Sequence, residues 1–369
     1  MSELPILFDE LPARDGGRIG IATLNAPKSL NALSLEMIRQ LTAKLDAWAS
    51  DHAVSAVWLE GAGDKAFCAG GDVVALYRAM TDDAHPDQGS EFAERYFAAE
   101  YRLDHCIHTF AKPLIVWGNG IVMGGGLGLM AGGGERVATE STRIAMPEIT
   151  IGLYPDIGAS WFLNRMPPGV GAYLGLTGAQ LNARDALDLG LADRLIPHEC
   201  RQAVIDALVE ADLISPHAAV RAVLREFEAR DQAPPGNVMP CLDTIQSLVD
   251  AADVGGAVAR ILADDRDDDW LAANRVRLQA GCPMTAHLVW RMLARHRHAS
   301  LADAFRDELN LSVQCCRHAE LAEGVRALLI DKDKRPRWSH ADVASVPQRD
   351  IEDFLAPLWS SEEHPLRDL

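Results

Sequence analysis

The stretch PEITIGLYPDIG, from Pro147 to Gly158, carries two carboxylates, Glu148 and Asp156, in an otherwise uncharged run. Fully extended, the chain would hold them roughly 26 Å apart at about 3.3 Å per residue, too far to serve one reacting bond. Gly152 and the pair Pro155-Asp156 are turn formers, so the chain is expected to bend and bring both acids to one pocket. The plainer alternative is two solvated acids flanking a loop. Two carboxyl groups sharing a pocket should push their pKa values apart, which provides for proton transfer or for attack on an electrophile.

A second candidate is VMGGGLGLMAGGGE, Val122 to Glu135, the most unusual composition in the chain. Three readings compete. Glycines allow close packing of a helix on a strand. Gly126 to Ala131 fits the G-x-G-x-x-A dinucleotide fingerprint, but three glycines interrupt the helix within two turns and no ribose-binding acid follows. The third reading is an oxyanion hole, because glycines at a strand-to-helix turn leave backbone N–H groups unblocked at a positive helix end. Each such donor contributes about 2.7–4 kcal/mol to a transition state that gathers negative charge. A hole needs two donors, and AFCAGGD (66–72) offers a second glycine loop after a strand.

These residues need a scaffold. ILFDELPARDGGRIGIATLN has the pattern of a hairpin turning at Asp15-Gly16-Gly17. Ser34 is placed to cap a helix with the stripe Ile38, Leu41, Leu45 and Trp48. Val54 to Leu59 and PLIVWGNGIV are predicted buried strands, RVATE and TRIAMPE short ones, and 91–109 a helix. ARDALDLG is a helix stopping at Gly190, and LADRLIP returns as a strand. Strands alternating with helices argue for an α/β core. After the loop DQAPPGNVMP, residues 241–330 are helical in pattern. We divide the chain into a core, 1–215, that binds the substrate, and a helical region, 216–369, that closes over it.

The net charge of −18 disfavours nucleic acid and anionic membranes as partners. No apolar run reaches membrane-spanning length, and the start has no apolar signal core. Seven scattered cysteines have neither metal-ligand nor disulfide-framework spacing. The expectation is a cytoplasmic protein with no metal.

KAFCAGGDV, NGIVMGGGLGL, AMPEITIGLYPDIGASWFL and LTGAQLNARDALDLGLADRLIP, in this order and spacing, resemble the crotonase (enoyl-CoA hydratase/isomerase) superfamily over about residues 8–200. The resemblance implies a spiral of ββα turns and an acyl-CoA substrate whose thioester oxygen is held by two backbone N–H groups. Carried across, these are Ala69 and Gly125, with Gly70 and Gly124 beside them in contact with substrate. It implies no cofactor, since CoA is part of the substrate. Asn31 and its neighbours fall where the family's loop meets CoA. Family members are often trimers or hexamers, so a homo-oligomer is implied unless the C-terminal extension occupies that surface.

Hydratases of this superfamily use two glutamates. Here one is kept as Glu148, but the second position holds Gly128, which cannot transfer a proton. Glu148 with Asp156, Glu100-Tyr101 ahead of Lys112-Pro113, and EGVRALLIDKDKRPRW near the C-terminus resemble the 3-hydroxyisobutyryl-CoA hydrolase branch, which acts in valine breakdown. That implies thioester hydrolysis. Glu148 attacks the carbonyl or activates water, Asp156 positions the 3-hydroxyl or moves protons, and Glu100 orients the acyl group. The alternatives are a hydratase or isomerase using Glu148 with Asp156, and a non-catalytic CoA-binding protein.

Other features have plainer readings. HCIH (His105, His108) has helix-face spacing but no third ligand, which favours packing. RHRH (295–298) is expected to be a solvated basic turn, and DDRDDD (264–269) a solvated helix end. KDKRPR (332–337) is a charged loop or a contact to a CoA phosphate. Cys68 is expected to be a small buried side chain, and Ser160 lacks the G-x-S-x-G elbow. Tyr154, Trp161 and Phe162 are candidates for the acyl pocket.

Overall fold

The computed structural model describes residues 4–82 and 88–369. The chain folds as two compact units, each discontinuous in sequence: 1–71, 102–144 and 181–239 in the first, and 72–101, 145–180 and 240–369 in the second. The division read from sequence cuts the chain once, at 215/216. The helix Pro216–Glu226 instead contributes Val220, Val223 and Leu224 to the hydrophobic core of the first unit.

Ten strands are present among the described residues: β1 (Ile6–Pro12), β2 (Arg18–Leu24), β3 (Val54–Gly61), β4 (Ala66–Cys68), β5 (Leu114–Gly118), β6 (Ile121–Met123), β7 (Glu135–Ala138), β8 (Arg143–Ala145), β9 (Leu181–Asn182) and β10 (Arg194–Leu195). One sheet runs β1-β2-β3-β5-β7-β10 and a smaller one β4-β6-β8-β9. Successive pairs β3/β4, β5/β6 and β7/β8 each place their first strand in the large sheet and their second in the small one. That alternation is the expected ββα winding.

The hairpin β1–β2 is antiparallel, pairing Ile6 with Leu24 and Pro12 with Arg18, and Gly16 takes the positive φ (+88°) of its turn. Beyond it the large sheet is parallel. Its core stacks Trp58 on Trp117 at 5.1 Å, with Ile19, Ile115 and Val137 around them. Ser34 caps the helix Leu35–Ser50 by accepting from Met37 N–H at 3.2 Å, and its expected stripe is buried. The helix expected over 91–109 spans Gln88–His108.

PLIVWGNGIV is two strands, not one. Gly120, at φ +70°, turns the chain between sheets, and a Cβ there would lie 2.3 Å from Lys65 O. TRIAMPE ends as a strand at Ala145, so Glu148 lies on the 3-10 turn Glu148–Thr150 instead. In the second unit the helices expected over 241–330 are present from Leu242–Val249 to Ala319–Val325. DDRDDD departs from its reading: Asp264 is buried and paired with Arg266 and Arg275, because its carboxylate closes a turn, while Asp268 caps the next helix.

β4 and β6 pair in parallel, Cys68 opposite Val122, which sets the two glycine loops side by side. A Cβ on Gly126 would lie 2.2 Å from Cys68 O. Gly126→Ala must therefore drive the helix Gly125–Gly132 off β4, and we expect a loss of about 1–3 kcal/mol in denaturant unfolding, typical of overpacking. A variant as stable as wild type would contradict this packing.

Candidate active site

In the first unit, the glycine loops bring backbone amides together. A Cβ placed on Gly70 would stand 3.5 Å from Met123 O and 4.0 Å from Gly125 N. Gly70 has φ +116° and Gly124 φ +47°, conformations that suit glycine. Gly125 opens the helix Gly125–Gly132, so its N–H is among those left without an intrahelical partner, at the positive helix end. Ala69 is different. Its N–H already donates to Leu30 O at 3.0 Å, which commits the amide expected to serve as a donor. Gly71 pairs with Leu33 in a parallel bridge whose bond, from Leu33 N–H to Gly70 O at 2.8 Å, uses the neighbouring residue. That bond does not use Gly71's own N–H. Cys68 is fully buried, with Sγ 3.6 Å from Gly70 O, as its small-side-chain reading requires.

Asn31 is fully buried at φ +57° and donates to Ala62 O (3.0 Å) and Ala66 O (2.9 Å) while accepting from Ala26 N–H. It ties the loop together, so its side chain does not reach outward. Beside it lies a cleft of about 410 Å³ flanked by Lys28 and Lys65.

In the second unit, three acids are buried close together. Glu100 comes from the helix Gln88–His108, Glu148 from its 3-10 turn and Asp156 from the turn before Gly158. Their exposures are 2%, 5% and 4%, so the solvated-loop alternative is excluded. Glu100 Oε1 and Glu148 Oε2 have no hydrogen-bond partner among the described residues, unusual for buried polar atoms and typical of functional sites. Burial first, then Asp156 and Glu100, push the Glu148 carboxyl well above its usual range. Burial and Asp156 do the same to Glu100. Asp156 is raised by burial only to about 6, because the Tyr101 hydroxyl donates to its Oδ2 at 2.5 Å and a backbone hydrogen bond adds to this. Of the three, Asp156 is the acid that a side-chain hydrogen bond pulls back toward its ordinary range.

Sequence reasoning missed the shell around Asp156. Ser300 caps the helix Leu301–Arg317, whose buried face runs through Phe305, Glu308, Ser312 and Cys315 at helical spacing. Glu308 accepts from Gly158 N–H (2.6 Å) and Ser160 N–H (3.0 Å), and from the Ser160 hydroxyl. Ser312 Oγ lies 2.6 Å from Tyr101 Oη and 3.0 Å from Tyr154 Oη. The available signal was a Glu and a Ser on an otherwise apolar stripe. Between these supports Ile157 takes φ +58°, which for a β-branched residue costs on the order of 1–3 kcal/mol.

Two further expectations change. His296 of RHRH is buried, joining Ser160 Oγ (2.7 Å) to Asp307 (2.9 Å), because the helix end turns it inward. Tyr154 is fully buried with its hydroxyl donating to Glu308 O at 2.8 Å, so it braces the turn and does not line a pocket. Trp161 stacks under Arg165 at 3.5 Å. His108 packs against the Gly132 backbone, and burial lowers its pKa to about 4. Among the described residues no group of three or more His, Cys, Asp or Glu is arranged for a metal, and no helix is long and apolar enough to cross a membrane.

Burial raises Glu308 to about 8, against its hydrogen bonds from Ser160 and Gly158. A carboxyl raised on folding stabilises the fold below its unfolded value, and that contribution is lost as pH climbs through the folded value. Wild type should therefore lose melting temperature relative to Glu308→Gln between about pH 5 and 8. Parallel pH–melting curves for the two proteins would overturn the assignment.

A model of the family described as Enoyl-CoA hydratase/isomerase matches residues 19–355. Similar curated proteins include the mitochondrial 3-hydroxyisobutyryl-CoA hydrolases of Danio rerio, 35% identical over 96% of this chain and 90% of the relative, and of Gallus gallus, 37% identical over the same shares. Their mitochondrial designation is at variance with the cytoplasmic expectation. Among solved structures, an enoyl-CoA hydratase from Rhodobacter sphaeroides is similar at TM-score 0.84 and 32% identity, covering 96% of this chain and 98% of that one.

Proposed function

The chain belongs to the enoyl-CoA hydratase/isomerase family, the crotonase superfamily, and from that premise we propose that it hydrolyses a short 3-hydroxyacyl-CoA thioester, 3-hydroxyisobutyryl-CoA above all. The observation that carries the reading is the buried carboxyl cluster: Asp156 accepts from the Tyr101 hydroxyl, whereas Glu148 Oε2 has no hydrogen-bond partner among the described residues, and burial raises both acids. Gly128 supports it from the other side. It lies in a buried helix, GGLGLMAG, without a titratable side chain, so the acid that hydratases use there is missing.

In the proposed reaction the thioester oxygen accepts from the amides of Gly125 and Gly71, the latter replacing Ala69, with Gly70 and Gly124 contacting substrate. Glu148 passes its proton to Asp156 and attacks the thioester carbon, and the negative charge gathers on the oxygen at the amides. Collapse breaks the C–S bond, Asp156 protonates the departing thiolate, and a mixed anhydride on Glu148 remains. Asp156, ionised again, takes a proton from water as it attacks the anhydride, which releases the free acid and leaves Glu148 as a carboxylate, and Asp156 then returns that proton to Glu148. Glu100, protonated, donates to the acyl group and orients it. No step needs a further cofactor. The acidic chain meets the anionic CoA through the cleft near Lys28 and Lys65 or the exposed loop KDKRPR. Valine breakdown is the setting that the relatives suggest.

A second reading, hydration of an enoyl-CoA by Glu148 with Asp156, is favoured by the likeness to the Rhodobacter sphaeroides hydratase.

Free thiol and enoyl absorbance followed together on 3-hydroxyisobutyryl-, 3-hydroxypropionyl- and crotonyl-CoA separate the two. We expect thiol from the hydroxyacyl thioesters only, with turnover reduced about 10³-fold or more in Glu148→Gln. Loss of the crotonyl absorbance without thiol would reverse the choice. Because Asp156 must be ionised, kcat/KM should rise with pH through about 6, and a flat profile there would remove Asp156 from the role.

A further inference from the structure

We infer that the helix Leu301–Arg317 supplies the positioning residues of the site, Glu308 gripping the turn that bears Asp156 and Ser312 holding the Tyr101 hydroxyl against the Asp156 carboxylate. The inference rests on the role proposed above for Asp156.

Four observations converge. Glu308 spends both carboxyl oxygens on the turn, Oε2 on Gly158 N–H and Oε1 on Ser160, which leaves neither for substrate. The turn it grips includes Ile157 at φ +58°, a conformation that needs external restraint in a β-branched residue. Tyr101 Oη stands between Asp156 Oδ2 (2.5 Å) and Ser312 Oγ (2.6 Å); its proton goes to the carboxylate, so the Ser312 hydroxyl is the group that fixes its direction. Glu308 and Ser312 are four residues apart on one helix, so both supports belong to one rigid element.

Among the described residues no cation holds Asp156. It is faced by Glu100 and Tyr101 from the helix Gln88–His108, by Glu148 and Tyr154 from its own segment, and by Glu308, Cys315 and Cys316 from the helix Leu301–Arg317. All of these are neutral or anionic, so the hydroxyl of Tyr101 is the strongest side-chain influence keeping the acid ionised.

The test measures kcat, KM and the pH profile on 3-hydroxyisobutyryl-CoA. Tyr101→Phe deletes one hydroxyl and should move the rising limb upward by about one pH unit or more, an effect a purely structural residue would not have. Ser312→Ala should move it the same way by less. Glu308→Gln should lower kcat about 10- to 100-fold with little change in KM, as expected when a reacting group is misdirected. A folded Tyr101→Phe enzyme with an unmoved limb, or a folded Glu308→Gln enzyme with wild-type kcat, overturns the inference. Should Glu308→Gln fail to fold, the limbs of Tyr101→Phe and Ser312→Ala decide it. Asp156→Asn separates the two levels: wild-type turnover there removes the proposed role and this inference together. An inactive Asp156→Asn beside wild-type behaviour of the other three removes this inference alone.

Discussion

The proposed reaction requires a negative charge to be kept on one buried carboxyl among several, with no cation beside it among the described residues. Burying an ion is unfavourable unless hydrogen bonds replace its water, and like charges nearby make it worse. The second unit meets this constraint with hydroxyls. Tyr101 donates to Asp156, Ser312 steadies Tyr101, and Tyr154 is tied to the helix Leu301–Arg317 through Glu308 O. An arginine would hold Asp156 more firmly, but it would depress the pKa of the acid and fix the charge, leaving it a poor proton acceptor. Neutral donors leave Asp156 near 6, ionised at neutral pH yet close enough to it to trade a proton.

The glycine loops of the first unit follow the same logic with partial charges. Gly126 exists because Cys68 O occupies the space of any Cβ, and Gly70 because of its positive φ. The first requirement comes from close approach and the second from backbone conformation. The packing reading of these glycines is therefore compatible with the oxyanion role proposed for the loops.

Legibility followed the range of the interaction. The hairpin, the capped helix at Ser34 and the C-terminal helices were readable because periodicity and caps are local. The break of PLIVWGNGIV was not, since it depends on Lys65 meeting Gly120 from a distant segment. The pair Glu148 and Asp156 stood out as charges in an apolar run, and Glu100 through resemblance. Ala69 was assigned from a motif that does not say which amide is already bonded; only the contact to Leu30 O reveals it. His296 was mistaken for a solvated residue because RHRH looks basic, and the partner that turns it inward, Ser160, lies 136 residues away. Glu308 is 148 residues from the serine it holds.

The titratable and the untitratable candidate groups belong to different units. The helix Gly125–Gly132 and its neighbouring loop offer amides that no accessible pH alters, whereas Glu100, Glu148 and Asp156 all belong to the second unit. Replacing an acid by Gly128 strips the first unit's helix of any part in proton transfer. Addition of water to a carbon–carbon double bond needs a proton delivered at one carbon while another is removed from water. Acyl transfer needs a nucleophile, a stabilised oxyanion and one proton that shuttles. A cluster of buried carboxyls of raised pKa, with no acid at position 128, fits the second set of needs more closely than the first.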